Sequence, residues 1–229
     1  MEIRLDSLKE GAERAEGTVV IVDVFRAFTT AAVAFQRGAK RIIMTAKVDE
    51  ALELKQKGLG DLCMGEVGGL RPEGFDFGNS PHALSQADVE GLTLVQSTRA
   101  GTVGVSAARH ADRIYAGSLA NAEATVQVIK RQNPRVLTIV AMGDGGLVRT
   151  DEDEQCALYM RNLLEGRKPY KEAVRTIVLA SRWSEYFDEP DPPHKHPGDR
   201  ELALSIDSST FAIGVTRENG LLIARPERV

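Results

Sequence analysis

The chain reads as an α/β protein: a three-layer sandwich with a mostly parallel sheet flanked by helices. Three observations predict this. Short β-branched runs alternate with helical patterns between Thr18 and Gly143. The runs are apolar almost without interruption, which marks strands covered on both faces. The repeated β-α-β order calls for right-handed crossovers that lay helices over the sheet.

The expected strands are "TVVIVDVF" (Thr18 to Phe25), "RIIMTA" (Arg41 to Ala46), "DLCMGE" (Asp61 to Glu66), "LTLVQST" (Leu92 to Thr98), "RIYAGS" (Arg113 to Ser118) and "RVLTIVAMG" (Arg135 to Gly143). Between them lie the helical patterns "RAFTTAAVAFQRG", "VDEALELKQKG", "PHALSQADV", "AGTVGVSAARH" and "NAEATVQVIKRQ". Gly38 and Gly58 close the first two as C-terminal glycines, and Asn79-Ser80-Pro81 supplies a polar cap followed by proline at the first helical position.

Beyond Gly143 the texture changes. "DEDEQCALYMRNLLEG" and "YKEAVRTIVLASRW" read as two consecutive helices. Glu185 to Asp199 is too rich in proline and charge to pack as a regular element, and reads as a surface excursion, a lid or an oligomer contact. The last segment, "TFAIGVTRENGLLIARPE", holds two strand-like runs around Asn219-Gly220, a hairpin signal. The hairpin either extends the sheet antiparallel or forms a small second lobe. One α/β domain spanning residues 1–229 is therefore expected, with a smaller C-terminal lobe from about residue 145 as the variant.

An apolar fraction of 42% is ordinary for a globular protein, so a sizeable core is affordable. With 33 acidic against 29 basic residues and the basic ones scattered, no nucleic-acid footprint exists, and any anion must be held by a local site. The charged N-terminal stretch does not read as a signal peptide, and no apolar run approaches the ~20 residues needed to cross a bilayer. No membrane association and a cytoplasmic location are the expectations. Cys63 and Cys156 form no disulfide framework or metal cluster and read as reduced thiols. Enzymes of this class and size often pair, so a homodimer is also expected.

In open parallel sheets ligands bind beyond the carboxyl ends of the strands. Reading those ends collects Asp23 and Arg26, Glu66, Ser97 with Thr98 and Arg99, Ser118, and Asp144. A carboxylate at Asp23, where strand gives way to helix, can bind Mg²⁺ or act as a nucleophile, while free amides behind it suit phosphate oxygens. As an isolated feature it equally reads as a helix cap paired with Arg26. A haloacid-dehalogenase-type phosphatase also begins with such an aspartate, but it wants an acid or small residue two positions on and threonine two beyond, where this chain has Phe25 and Ala27.

"GEVGGLRPEGFDFGNSP" (Gly65 to Pro81) carries five glycines in seventeen residues. Its backbone can approach a ligand closely and offer an anion nest. Glu66 is its candidate metal ligand, and Asn79 and Ser80 either aim a helix N-terminus at phosphate or cap it. "STRAGT" (Ser97 to Thr102) and "GSLAN" (Gly117 to Asn121) repeat the strand-to-helix theme, and "RTDEDEQCA" sets four acids around a helix start, which favours the helix dipole with or without a metal. Glu152 and Asp153 are the two singled out there. The four histidines lack metal-ligand spacing apart from His194 and His196. No Gly-x-Gly-x-x-Gly follows the first strand, and no Walker A loop or nucleophile-elbow serine occurs.

Together "VDVFRAFTT", "GEVGGLRPEGFDFGNSP", "AGSLANA" and "EDEQCA", in this order, resemble the 2-phosphosulfolactate phosphatase family. The resemblance runs from about Val19 to the end of the chain, and the glycine-rich segment is its most specific part. It implies a Mg²⁺-dependent phosphatase that turns 2-phosphosulfolactate into sulfolactate and phosphate on the route to coenzyme M. The shared polar residues fall on Asp23, Arg26, Glu66, Asp76, Asn79, Ser80, Ser118, Asn121 and Asp153. In the resulting expectation Asp23, Arg26 and Ser118 are catalytic, and Asn79, Ser80, Thr98, Arg99 and Asn121 bind a small anionic phosphorylated substrate. Asp23, Glu66 and Asp153 hold Mg²⁺. One departure concerns sulfonate specificity: Ala100 and Val103 stand where the family pattern has asparagine and arginine.

Overall fold

The computed structural model describes residues 1–188 and 195–229. Its strands are β1 (Glu2–Ser7), β2 (Gly17–Val22), β3 (Arg41–Thr45), β4 (Leu62–Gly65), β5 (Thr93–Ser97), β6 (Ala111–Gly117), β7 (Val136–Ala141), β8 (Phe211–Glu218) and β9 (Leu221–Arg228). The helices are α1 (Leu8–Arg14), α2 (Ala27–Gln36), α3 (Val48–Gln56), α4 (Pro81–Ser85), α5 (Gly101–Ala107), α6 (Ala122–Gln132), α7 (Asp151–Leu164), α8 (Lys171–Leu179), α9 (Arg182–Glu185) and α10 (Pro197–Ala203).

All nine strands share one sheet in the order β1-β7-β2-β6-β8-β9-β3-β5-β4. Two parallel blocks, β1-β7-β2-β6 and β3-β5-β4, are joined by the β8–β9 hairpin, which pairs antiparallel with β6 on one side and β3 on the other. The hairpin therefore sits inside the sheet rather than at its edge. Asn219 and Gly220 take positive φ at its turn, as a two-residue connection requires.

Six strands, β2 to β7, match the apolar runs with ends displaced by no more than three residues. The trimmed ends are informative: Asp23, Glu66, Thr98, Ser118 and Gly143 leave the sheet as loop or cap residues. β1 and α1 were not anticipated, because "EIRLDS" is charged and mostly exposed, as an edge strand can be. The Glu185 to Asp199 stretch corrects a second expectation. Its end is regular, since His196 accepts the Gly198 N–H as N-cap and Pro197 opens α10. His194 and residues 189–194 as a whole lie outside the described part.

Strand β2 shows how the layers form. Val19 and Ile21 point into one core with α2, while Val20 and Val22 point into another with α6, α7 and α8. In the other block Ile42, Met64 and Leu94 join the α2 core, and Ile43, Cys63 and Val95 pack under α3. Helix α2 is buried from Ala27 to Phe35. A helix apolar on every side belongs at a domain centre, and α2 packs against both blocks. Three antiparallel pairings separate the blocks, so they run in opposite directions; strand twist of roughly 20–25° per pair turns one against the other by about 90° over the four steps from β2 to β3. Wrapped around α2 in this way, both blocks deliver strand ends to the start of the same helix. No helix among the described residues is long and apolar enough to cross a membrane.

Phe28 is fully buried at the first turn of α2. Phe28→Ala is expected to lower unfolding free energy by about 3–5 kcal/mol in urea titration, the range for emptying a large aromatic site; a loss below about 1 kcal/mol would contradict α2 as the central pillar.

Candidate functional site

A cleft of about 240 Å³ opens where the ends of both blocks meet. Its volume is below that of drug-sized ligand sites, so it suits a small metabolite. Asp23, Arg26, Glu66, Asn79, Arg99, Asp144, Thr150, Glu152 and Asp153 supply its polar wall, and Phe25, Trp183, Tyr186 and Phe187 its aromatic one.

The carboxylates are fixed by backbone donors from distant segments. Asp23 Oδ1 accepts the Ala27 N–H at 3.0 Å, and the carboxyl also receives the Gly101 amide. Gly101 has to be glycine, since a Cβ there would stand 2.9 Å from Asp23 Oδ2 and 2.8 Å from the Ala27 Cβ. Asp153 takes the Val24 N–H on one oxygen at 2.7 Å and the Gly143 N–H on the other at 2.8 Å, tying the exits of β2 and β7 together. Glu66 accepts the Arg99 N–H on Oε1 and the Gly69 N–H on Oε2, both at 2.8 Å. Gly65 beside it has φ +148, and a Cβ would meet the Ser97 carbonyl oxygen at 1.8 Å, so β4 and β5 can approach closely only with glycine here.

Two guanidinium groups answer these acids. Arg99 donates to Glu66 at 3.3 Å and to Asp144 at 3.1 Å and bridges the two glycine loops. Arg26, 5% exposed, donates to Asp199 at 2.6 Å and lies over the Phe187 ring. The Phe25–Arg26 peptide bond is cis. Asp199 is completely buried and also receives the Ser80 hydroxyl at 2.6 Å and the His82 N–H at 2.9 Å.

Burial lifts the Asp23 carboxyl to about 6, with the Glu66 charge adding to it. Burial likewise lifts Glu152 to about 8, assisted by Asp23 and Asp151, and raises Asp153 well above the ordinary carboxylate range, assisted by Glu152 and Asp23. Glu152 Oε2, Thr150 Oγ1 and Asn79 Oδ1 are buried with no hydrogen-bond partner among the described residues.

The cleft thus unites Asp23, Arg26, Glu66, Asn79, Arg99 and Asp153. It does not include the other expected residues, each for a local reason. Ser118 and Asn121 form a capping box over the 3₁₀ turn Leu119–Asn121: the Ser118 N–H donates to Asn121 Oδ1, and Asn121 Nδ2 to the Ala116 carbonyl. Thr98 exchanges hydrogen bonds with Thr102. Ser80 caps α4 through the Ala83 N–H and reaches Asp199. Asp76 pairs with Lys55 away from the cleft. Asp199 and the aromatic wall were missed, and only the proline-rich composition around them hinted at a covering segment.

As to a cation, no group of three His, Cys, Asp or Glu among the described residues is arranged as a ready-made cage. Mg²⁺ rarely uses one, preferring one or two carboxylates, waters and substrate oxygens. The wall is rich in hard oxygen donors, some of them unpartnered, and five carboxylates stand against two arginines. That donor set fits a divalent cation.

A model of the 2-phosphosulpholactate phosphatase family matches residues 5–193. The chain is similar to a probable 2-phosphosulfolactate phosphatase of Bacillus subtilis, 33% identical over 173 residues, 74% of each chain. It is 35% identical over 179 residues to one of Clostridium acetobutylicum, covering 78% of this chain and 75% of that one.

Glu152→Gln is expected to separate from the parent in a pH-dependent way. A carboxyl lifted from 4.5 to about 8 contributes stability that is whole below about 4.5 and is lost as pH rises through about 8. The neutral amide carries no such loss. In metal-free buffer, Tm of the variant minus Tm of the parent should therefore grow between pH 5 and pH 8.5 in thermal melts; a flat difference would mean Glu152 is not held in a charge-disfavouring site.

Proposed function

Because the chain belongs to the 2-phosphosulpholactate phosphatase family, we propose that it hydrolyses 2-phosphosulfolactate, with Mg²⁺, to sulfolactate and phosphate, a step of the kind that leads to coenzyme M. One observation carries the reading beyond the family name: an acid-rich cleft whose geometry brings Asp23, Glu66 and Arg26 together at strand ends. A phosphorylated sulfonated acid is a polyanion, and such a wall admits it only with additional positive charge.

Asp23 and Glu66 are the expected carboxylates for that ion, each keeping lone pairs beyond those its N–H donors use. When bound, Mg²⁺ supplies neutralising charge to the phosphoryl oxygens and to developing negative charge in their transfer. Arg26 faces the cleft from the other side, its guanidinium held by Asp199 and stacked on Phe187, and stabilises the transferred group. Arg99, partly exposed between two glycine loops, suits the carboxylate or sulfonate end. Asp23, with a carboxyl near 6, is poised near neutrality either to attack phosphorus or to pass a proton between water and the leaving oxygen. Both roles end when the carboxylate is removed. The aromatic wall keeps bulk water from the reacting groups.

The decisive assay is phosphate release from a panel of small phosphorylated hydroxy acids, with and without Mg²⁺. Release is expected from 2-phosphosulfolactate, loss on EDTA treatment and recovery on adding Mg²⁺; binding without release would make the protein a metabolite receptor, and full turnover after chelation would remove the cation. Asp23→Asn is expected to cut kcat at least ~10²-fold with folding retained, the scale of losing one charge stabiliser. Near-parental turnover in a folded variant would take Asp23 out of the reaction.

A further inference from the structure

Two neighbouring acids at the start of α7, both facing the cleft, have different bonding. Asp153 has each oxygen engaged by a backbone N–H, one from the exit of β2 and one from the exit of β7. Asp23 and Glu66 also hold backbone donors, two apiece. Glu152, 3% exposed, keeps Oε2 without any partner among the described residues. Thr150, at the N-cap position of α7, would ordinarily accept an N–H from the first turn. Its hydroxyl makes no such bond; it is buried beside the Glu152 carboxyl, and neither it nor the Asn79 amide oxygen makes a hydrogen bond of regular geometry among the described residues. All three residues line the same cleft.

We propose that Glu152, with the Thr150 hydroxyl and the Asn79 amide oxygen, completes the seat of the divalent cation beside Asp23 and Glu66, and that Asp153 is a structural strut. The inference rests on the phosphatase reading for what the cation serves. Its chemistry follows from what each partner offers. The phosphate, carboxylate and sulfonate of the substrate, ionised, only accept hydrogen bonds. They cannot satisfy a carboxylate oxygen and an amide oxygen that also accept. A hydrated divalent cation can: it takes an anionic oxygen directly and presents water protons to the others. Coordination needs the ionised Glu152, so the cation must offset the burial that disfavours that charge, with the N-terminus of α7 assisting.

The test is Mn²⁺ binding to the whole chain without substrate, read from the free-ion signal in electron paramagnetic resonance titrations. Parent protein should bind Mn²⁺. Glu152→Gln should weaken binding at least ~10-fold, as losing a ligand or its support does, and Thr150→Val should weaken it in the same direction. Asp153→Asn should lower Tm while keeping the parental affinity for Mn²⁺. Parental affinity in both Glu152→Gln and Thr150→Val, or no binding by the parent, overturns the proposal. If Glu152→Gln does not fold, Thr150→Val decides. The phosphatase reading is separable: protein that binds Mn²⁺ through Glu152 yet releases no phosphate leaves the cation seat standing and removes the hydrolysis. Phosphate release with unchanged Mn²⁺ binding in both variants does the reverse.

Discussion

Repulsion among buried carboxylates is the constraint the cleft is built around. Asp23, Glu66, Glu152 and Asp153 are all less than a tenth exposed and face one small space, where low polarity disfavours each charge and every neighbour disfavours it further. The fold answers with backbone N–H groups drawn from six separate positions: Val24, Ala27, Gly69, Arg99, Gly101 and Gly143. Asp23, Glu66 and Asp153 therefore each hold two backbone donors, while Glu152 holds none from these positions, so the chemistry and the architecture share the same bonds at three of the four acids. What the amides do not neutralise is left for arginine, protons or a cation.

That arrangement needs two strand blocks of opposite direction to present their ends together. The C-terminal hairpin makes the reversal, and α2 makes the meeting point, because its apolar surface is complete on all sides and can be buried only between both blocks. The first turn of α2 emerges beside Asp23, so this buried helix starts at the charged cleft. At Gly101 the start of α5 is admitted against Asp23 by the absence of a side chain.

Much of this was legible in sequence. Uninterrupted apolar runs separated by helical periodicity specify a two-sided sheet, and the strand-end rule picked out Asp23, Arg26, Glu66, Arg99 and Asp144, since a charge that ends a buried strand has few places to go but a rim. The rest depended on distant pairing. An Asn-Gly turn announces a hairpin but not the strands beside it, so the place of β8–β9 in the middle of the sheet was invisible. The edge strand β1 gave no pattern because only Ile3 packs inward against the core. Ser80, Thr98, Ser118 and Asn121 lie outside the cleft because the bonds that would orient a ligand also cap helices and turns, and here neighbouring groups, or Asp199 in the case of Ser80, take them.

Asp199 shows how such long-range dependence works. It lies 173 residues from Arg26, in a segment whose composition speaks only of loops, yet it joins Arg26, Ser80 and the His82 amide in one buried knot. Charge in that setting is tolerated only as a pair; removing one partner of a buried ion pair costs about 3–5 kcal/mol, more than most single contacts supply. Docking of α10, aim of the Arg26 guanidinium and the cap of α4 are therefore one equilibrium rather than three. Lifting α10 away would take Asp199 from Arg26, and turning Arg26 toward a ligand would take the guanidinium from Asp199. Three of the four aromatic residues that wall the cleft, Trp183, Tyr186 and Phe187, come from the same part of the chain, between α8 and α10. That part of the chain and the arginine are thereby tied together by the Asp199 carboxylate.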